Sequence, residues 1–265
     1  MKLVKSIAIA LVAVMTAALV AGCNSTPKEK LIMATNAAFP PYEFVGDDGE
    51  FAGIDVEIAG LIAEELGMEL EIKDVSFGSI LGGVQTNKYH IGMAGMTVTD
   101  ERKEQVNFSN TYATAKQVVI VKADSEYASF EDFYTGYDEE ENPAGVKEGI
   151  KIGVQENTTG DIYSSDEPAN WGFGEDNVVR YKTGALAIED LKKGRVTAVI
   201  IDNEPAKAFV EMNEGLKILD GAYADEEYAI AIAKENTELL DKVNAALEKL
   251  TDNGKIQEIV DKYIK

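Results

Sequence analysis

Past its first two dozen residues the chain alternates two hydrophobic rhythms. Residues 30–36 (KLIMATN) are nearly continuous in apolar side chains and predict a buried strand. After Gly53, Asp55 is placed to cap a helix on which Ile58, Leu61, Ile62 and Leu66 recur at helical spacing, and Gly67 stops it. Met68, Leu70 and Ile72 then alternate with Glu69, Glu71 and Lys73, the pattern of a half-buried strand. A short helix follows with Ile80, Leu81 and Val84 inward, then strands at 91–95 and 117–123. A second series opens with a strand in 149–155 and a short helix in "GDIYSS", and continues with strands near 178–182 and 196–201 around a helix at 184–193. The C-terminal part reads as one strand, EYAIAIAK (227–234), and helical stretches at 236–250 and 255–264. This alternation predicts an α/β fold. Residues 135–145 (TGYDEEENPAG) break the rhythm and predict a solvated excursion, with a recognition loop as the alternative.

The N-terminus has a different character. Lys2 and Lys5 precede an almost wholly apolar run from Ile7 to Val20, which predicts a secretory signal over residues 1–22. The run ends in Val20-Ala21-Gly22-Cys23, which resembles a lipobox and implies lipidation of Cys23; an ordinary export signal with a free cysteine is the alternative. Residues 23–30 then read as a lipidated, flexible tether to the outer face of the cell membrane, or as the start of a periplasmic protein. Cys23 is the single cysteine, so no intramolecular disulfide can form.

Charge narrows the function. The net charge of −22 becomes −24 once Lys2 and Lys5 leave with the signal. Such acidity excludes a nucleic-acid partner, since phosphate binding needs clustered Lys and Arg. With one histidine, His90, which reads as a strand-edge surface residue, neither a metal site nor a cofactor is expected.

Arg102 is the local anomaly. Thr99 and Asp100 predict a helix start, and a cation in the first turn is disfavoured unless an anion is to be met there. It reads either as a solvated helix residue beside Glu101 and Glu104 or as a carboxylate ligand, for which the planar guanidinium is suited. Thr97 carries a hydroxyl that can donate to a carboxylate or accept from an ammonium, and the Gly95 carbonyl can accept from an ammonium; a strand-end threonine and a tight-turn glycine are the plain alternatives. Thr158 and Thr159 precede a helix start, where backbone N–H groups favour anions and where Thr158 can equally act as a cap. Asp202 ends the apolar strand TAVII and can either face a cleft or cap the next helix.

Four segments carry a family resemblance. Gly53-Ile54-Asp55-Val56-Glu57-Ile58, AGMTVTDERKEQVNFS (94–109), KIGVQENTTG (151–160) and LKKGRVTAVIID (191–202) resemble, in order and spacing, the polar amino-acid solute-binding proteins of ABC importers. The resemblance spans about 31–265. It implies a two-lobed, type II-like periplasmic-binding-protein fold, each lobe a β-sheet flanked by helices, with the ligand between them. Lobe 1 would comprise 31–114 and 229–265 and lobe 2 115–228, with crossing segments near Ala115 and Tyr228 as the hinge.

The same resemblance implies site roles. Arg102 and the Thr159 N–H would hold an α-carboxylate and Asp202 an α-ammonium, with Thr97, Gly95 and Thr158 beside them. Phe39 and Phe77 would sandwich the ligand side chain, while Tyr42, Phe44 and Phe51 pack nearby. Asn36 stands where several relatives carry an aspartate, Gln155 is a further side-chain contact, and Ile201 would line the same region. Together these suggest a neutral or amide-bearing amino acid. Thr197 replaces a common family aspartate and is expected to be structural.

The implied activity is non-enzymatic: an extracytoplasmic, membrane-anchored, monomeric receptor for a free L-amino acid, delivering it to ABC permease subunits. The rival is a dehydratase acting on a cyclic carboxylate on the same scaffold. It would gain if Glu43 proved buried in the cleft with a raised pKa. A sensor module is a third reading, disfavoured by the absence of a signalling domain in the sequence.

Overall fold

The computed structural model describes residues 28–264. The signal segment 1–22, Cys23 and the tether through residue 27 lie outside the described residues. Lys30 is already in the first strand, paired with Glu69, so the tether ends before it.

In chain order the elements are β1 (Lys30–Thr35), β2 (Ala38–Phe39), β3 (Glu43–Val45), β4 (Phe51–Ala52), α1 (Ile54–Glu65), β5 (Glu69–Asp74), α2 (Ile80–Gln85), β6 (Ile91–Gly92), α3 (Asp100–Gln105), β7 (Asn107–Phe108) and β8 (Ala113–Lys122). They continue with β9 (Ile152–Gln155), α4 (Thr159–Ser165), β10 (Val178–Tyr181), α5 (Gly184–Lys192), β11 (Ala198–Asp202), α6 (Asn203–Met212), β12 (Leu216–Ile218), β13 (Ala224–Tyr228), β14 (Ala231–Ile232), α7 (Thr237–Asp252) and α8 (Lys255–Tyr263).

Two sheets organise two lobes. The first has the order β5-β1-β6-β14-β7, and the second β10-β9-β11-β8-β12, with β13 also paired to β8. β1 runs parallel to β5 and β6, and β9 runs parallel to β10 and β11, as helical crossovers require. A small antiparallel sheet, β2-β3-β4, flanks the first lobe. The chain passes between lobes on two adjacent strands, residues 113–117 of β8 pairing antiparallel with 224–228 of β13.

The helix on the 58/61/62/66 spacing forms as expected. Ile58 and Ile62 are fully buried, each contributing about 1.5–3 kcal/mol relative to exposure. It ends where Gly67 takes a left-handed φ of 70°, the Gly67 and Met68 N–H groups closing back on the Glu64 and Ala63 carbonyls. Two expectations are corrected here. Asp55 does not cap this helix: Gly53 is the cap residue, and Asp55 is inside the first turn with its carboxylate turned into the lobe. Nor is 227–234 one strand. Tyr228 closes β13 in the second sheet and Ala231 opens β14 in the first, the apolar run staying buried because it passes through the junction between them.

The 135–145 excursion is a narrow turn off the second lobe, bridged at Tyr137–Pro143. His90 sits at the edge of β1, exchanging backbone and Nδ1 bonds with Ile32. Thr197 is structural: its hydroxyl accepts from the Lys151 N–H at 3.0 Å and donates to the Gly149 carbonyl at 3.4 Å.

Candidate functional site

All ten residues expected to bind a ligand line one cavity between the lobes: Asn36, Phe39, Phe77, Gly95, Thr97, Arg102, Gln155, Thr158, Thr159 and Asp202. Glu43 and Ala94 complete its wall. The lobes are drawn together around it. Hydrogen bonds that span them include Arg102 Nη2 donating to the Asn157 carbonyl at 3.1 Å and Gln155 Nε2 donating to Asn36 Oδ1 at 2.9 Å.

Local rules place each group. Thr99 caps α3, its hydroxyl accepting from the Arg102 N–H at 3.2 Å, which fixes Arg102 in the first turn. The guanidinium is buried, not solvated, lying 5.4 Å from the Phe77 ring centroid and donating to the Thr97 carbonyl at 2.7 Å. Burial lowers its pKa, and Glu226 leads the nearby acids that oppose the shift. Gly95 adopts φ 51°, and a side chain there would come within 2.8 Å of Phe39. Residues 93–95 leave the ladder at this point, so the expected strand 91–95 stops at Gly92.

On the opposite wall Thr158 caps α4, its hydroxyl accepting from the Asp161 N–H at 3.3 Å and donating to the Gln155 carbonyl at 2.8 Å. Thr159 follows, buried, its hydroxyl accepting from Gln117 Nε2 at 3.4 Å. Asp202 holds the cap position of α6 but makes no side-chain cap bond. Its carboxyl turns inward and accepts from Tyr228 Oη at 2.5 Å. Burial first, and the charge of Glu226 second, push its pKa well above the usual carboxylate range. Ile201 does not line the cleft: strand alternation sends it to the other face, where it packs over Gly184, whose added Cβ would meet it at 2.7 Å.

Beneath the floor sits a carboxyl pair the sequence did not announce. Asp55 Oδ2 accepts from the Gly95 N–H and Oδ1 from Tyr112 Oη, both at 2.8 Å. Burial pushes Asp55 up to about 6 against these bonds. Glu43, 1% exposed, lies against it and is raised well above its ordinary value by burial and by Asp55. Its Oε2 has no hydrogen-bond partner. Glu43 therefore meets the burial and pKa condition set for the enzyme reading, but it does so as half of a structural pair.

Sequence reasoning also missed Gln117, Asn157 and Glu226, and gave Tyr228 only as a hinge position. Glu226 hid in the acidic string ADEEY; the alternation of β13, with Glu226 and Tyr228 buried and Asp225 and Glu227 exposed, was the available signal.

Residues 31–265 match the model of the bacterial extracellular solute-binding proteins, family 3. The arginine-binding extracellular protein ArtP of Bacillus subtilis is 29% identical over 242 residues, covering 91% of this chain and 88% of that protein. A crystal structure of the P235GK mutant of ArgBP from T. maritima superposes with a TM-score of 0.78 at 37% identity, covering 88% of this chain and 94% of that one. An ancestral arginine-binding protein bound to glutamine gives 0.77 at 34%, covering 89% and 98%.

Proposed function

The chain belongs to the bacterial extracellular solute-binding proteins, family 3, and on that footing we propose that its cleft binds a free L-amino acid by lobe closure and delivers it to ABC permease subunits. It is a transport binding protein and not an enzyme. The observation that carries the reading is one cavity lined by Arg102 on helix α3, the single cation of its wall among the described residues, and by Asp202 at the end of β11 in the second sheet. An α-carboxylate between Arg102 and the start of α4, with an α-ammonium at Asp202, Thr97 and the Gly95 carbonyl, would satisfy both buried charges at once.

Closure follows from the same division of labour. Residues 31–114 and 229–265 would move as lobe 1 and residues 115–228 as lobe 2, about the paired strands at 113–117 and 224–228. Moving from mostly open to mostly closed takes about 5.5 kcal/mol of differential binding, which would come from the contacts that the second lobe adds to both the carboxylate and the ammonium on closure. Among the described residues no helix is long and apolar enough to cross a membrane. Attachment would be through a lipid on Cys23, each buried methylene contributing about 0.8 kcal/mol, with the receptor acting as a monomer.

For the ligand side chain, the distal wall offers the amide pair Asn36–Gln155 and the Phe77 ring, with no carboxylate at position 36. This supports an amide-bearing or neutral polar side chain. Calorimetric titration should therefore give L-glutamine an affinity at least about tenfold above L-arginine, since a missing charge partner costs about 1.5–3 kcal/mol. Tighter binding of L-arginine would reverse the assignment of side-chain class and leave the amino-acid site itself in place.

A further inference from the structure

We propose that Glu226, on the crossing strand β13, is a positioning residue that sets the hydrogen-bond polarity of the cleft, making Thr97 an acceptor for the ligand's ammonium and leaving Thr159 free to donate to its carboxylate. The inference rests on the amino-acid reading above and deepens it. The contacts are explicit. Glu226 is 6% exposed, and its Oε2 accepts from Thr97 Oγ1 at 3.0 Å and from Gln117 Nε2 at 3.0 Å. The Gln117 amide also donates to Thr159 Oγ1 at 3.4 Å.

A hydroxyl has one proton to give and lone pairs to receive with. A carboxylate only accepts, so Thr97 must spend its proton on Glu226 and can offer the cavity lone pairs alone. Both hydrogens of the Gln117 amide are likewise committed, one to Glu226 and one to Thr159. Thr159 receives that bond, so its own proton remains to be donated. Two hydroxyls that the sequence leaves ambiguous thereby acquire opposite roles, assigned by a residue that does not itself line the cavity.

The arrangement agrees with the charges. Thr97 and Asp202 line the cavity from opposite walls, and Thr159 opens α4 on the wall facing Arg102. Glu226 Oε1 is buried with no hydrogen-bond partner, and Glu226's charge helps raise the neighbouring Asp202. Negative potential therefore gathers where the ammonium is to lie. Since Glu226 and Gln117 stand on the two crossing strands, the polarity is fixed at the junction of the lobes.

The test compares L-glutamine and L-arginine, each against its desamino analogue, by calorimetry on the unmodified protein, Glu226→Gln, Thr97→Val and the double variant. The ratio of affinities, amino acid over analogue, is the readout, because a general loss of structure leaves it unmoved. Glu226→Gln and Thr97→Val should each lower that ratio by about tenfold, the weight of one hydrogen bond to a charged group, and the double variant should lower it no further than either single one. Equal weakening of amino acid and analogue in Glu226→Gln would overturn the proposal. Where that variant does not fold, Thr97→Val decides: a loss as large for the analogue as for the amino acid would place Thr97 on the carboxylate and overturn the assignment. Failure of the unmodified protein to bind either amino acid would overturn both this inference and the reading beneath it.

Discussion

Arg102→Ala is expected to weaken amino-acid binding by at least about a hundredfold, and to abolish the ligand-induced rise in melting temperature at micromolar ligand. Truncating one partner of a buried, hydrogen-bonded charge pair costs about 2–5 kcal/mol, because the remaining charge stays desolvated without its counterpart. Here that counterpart would be an α-carboxylate held against the α4 N-terminus. The unliganded protein also loses something, since the guanidinium donates to the Thr97 carbonyl and across the cleft to the Asn157 carbonyl. Each is made by a charged donor and is worth about 1.5–3 kcal/mol, so the unliganded melting temperature should fall together with the affinity. A variant that binds as the unmodified protein does, measured by calorimetry, would reduce Arg102 to a scaffold residue.

The second large effect falls on folding. Asp55→Ala leaves the Gly95 N–H and the Tyr112 hydroxyl buried without an acceptor, at about 1–3 kcal/mol each. A melting temperature lower by about 8–16 °C corresponds to the middle of the summed range. Its pH dependence has a definite sign. Because Asp55 is raised to about 6 in the folded chain, the folded state holds a proton that the unfolded state releases near 4. The stability it contributes is complete below about 4 and is lost as pH rises through about 6. Glu43, raised in the same direction, adds to the effect. Thermal melts of the unmodified protein should climb as pH falls from 7 to 5, and those of Asp55→Ala should climb less. An unchanged slope in the variant would remove Asp55 from this role.

The helix starts around the site were legible because they rest on local rules, while the binding roles came from the family resemblance. Thr99, Thr158 and Gly67 are punctuation whose effect is felt within four residues, so the helix starts that aim Arg102 and Thr159 could be read directly. What escaped depends on distant partners. Asp55 reads as a helix cap from its neighbours, yet its carboxylate is claimed by Gly95 and Tyr112, 40 and 57 residues away. Glu226 reads as one acid among many, and only the pairing of β13 with β8 brings it to Gln117. Ile201 failed for a simpler reason, since its neighbour Asp202 faces the cleft and strand periodicity puts adjacent residues on opposite faces.

The central claim, that this cleft recognises a free amino acid by its zwitterionic head, is tested most directly by a thermal-shift screen of the twenty L-amino acids on the unmodified protein. Ligand at a thousand times its dissociation constant stabilises by about 4.1 kcal/mol, which for a chain of this size raises the melting temperature by about 8–16 °C. The account predicts such a rise with at least one of the twenty, and a clearly smaller one with its desamino analogue at the same concentration. Twenty melting temperatures indistinguishable from the unliganded value would contradict it.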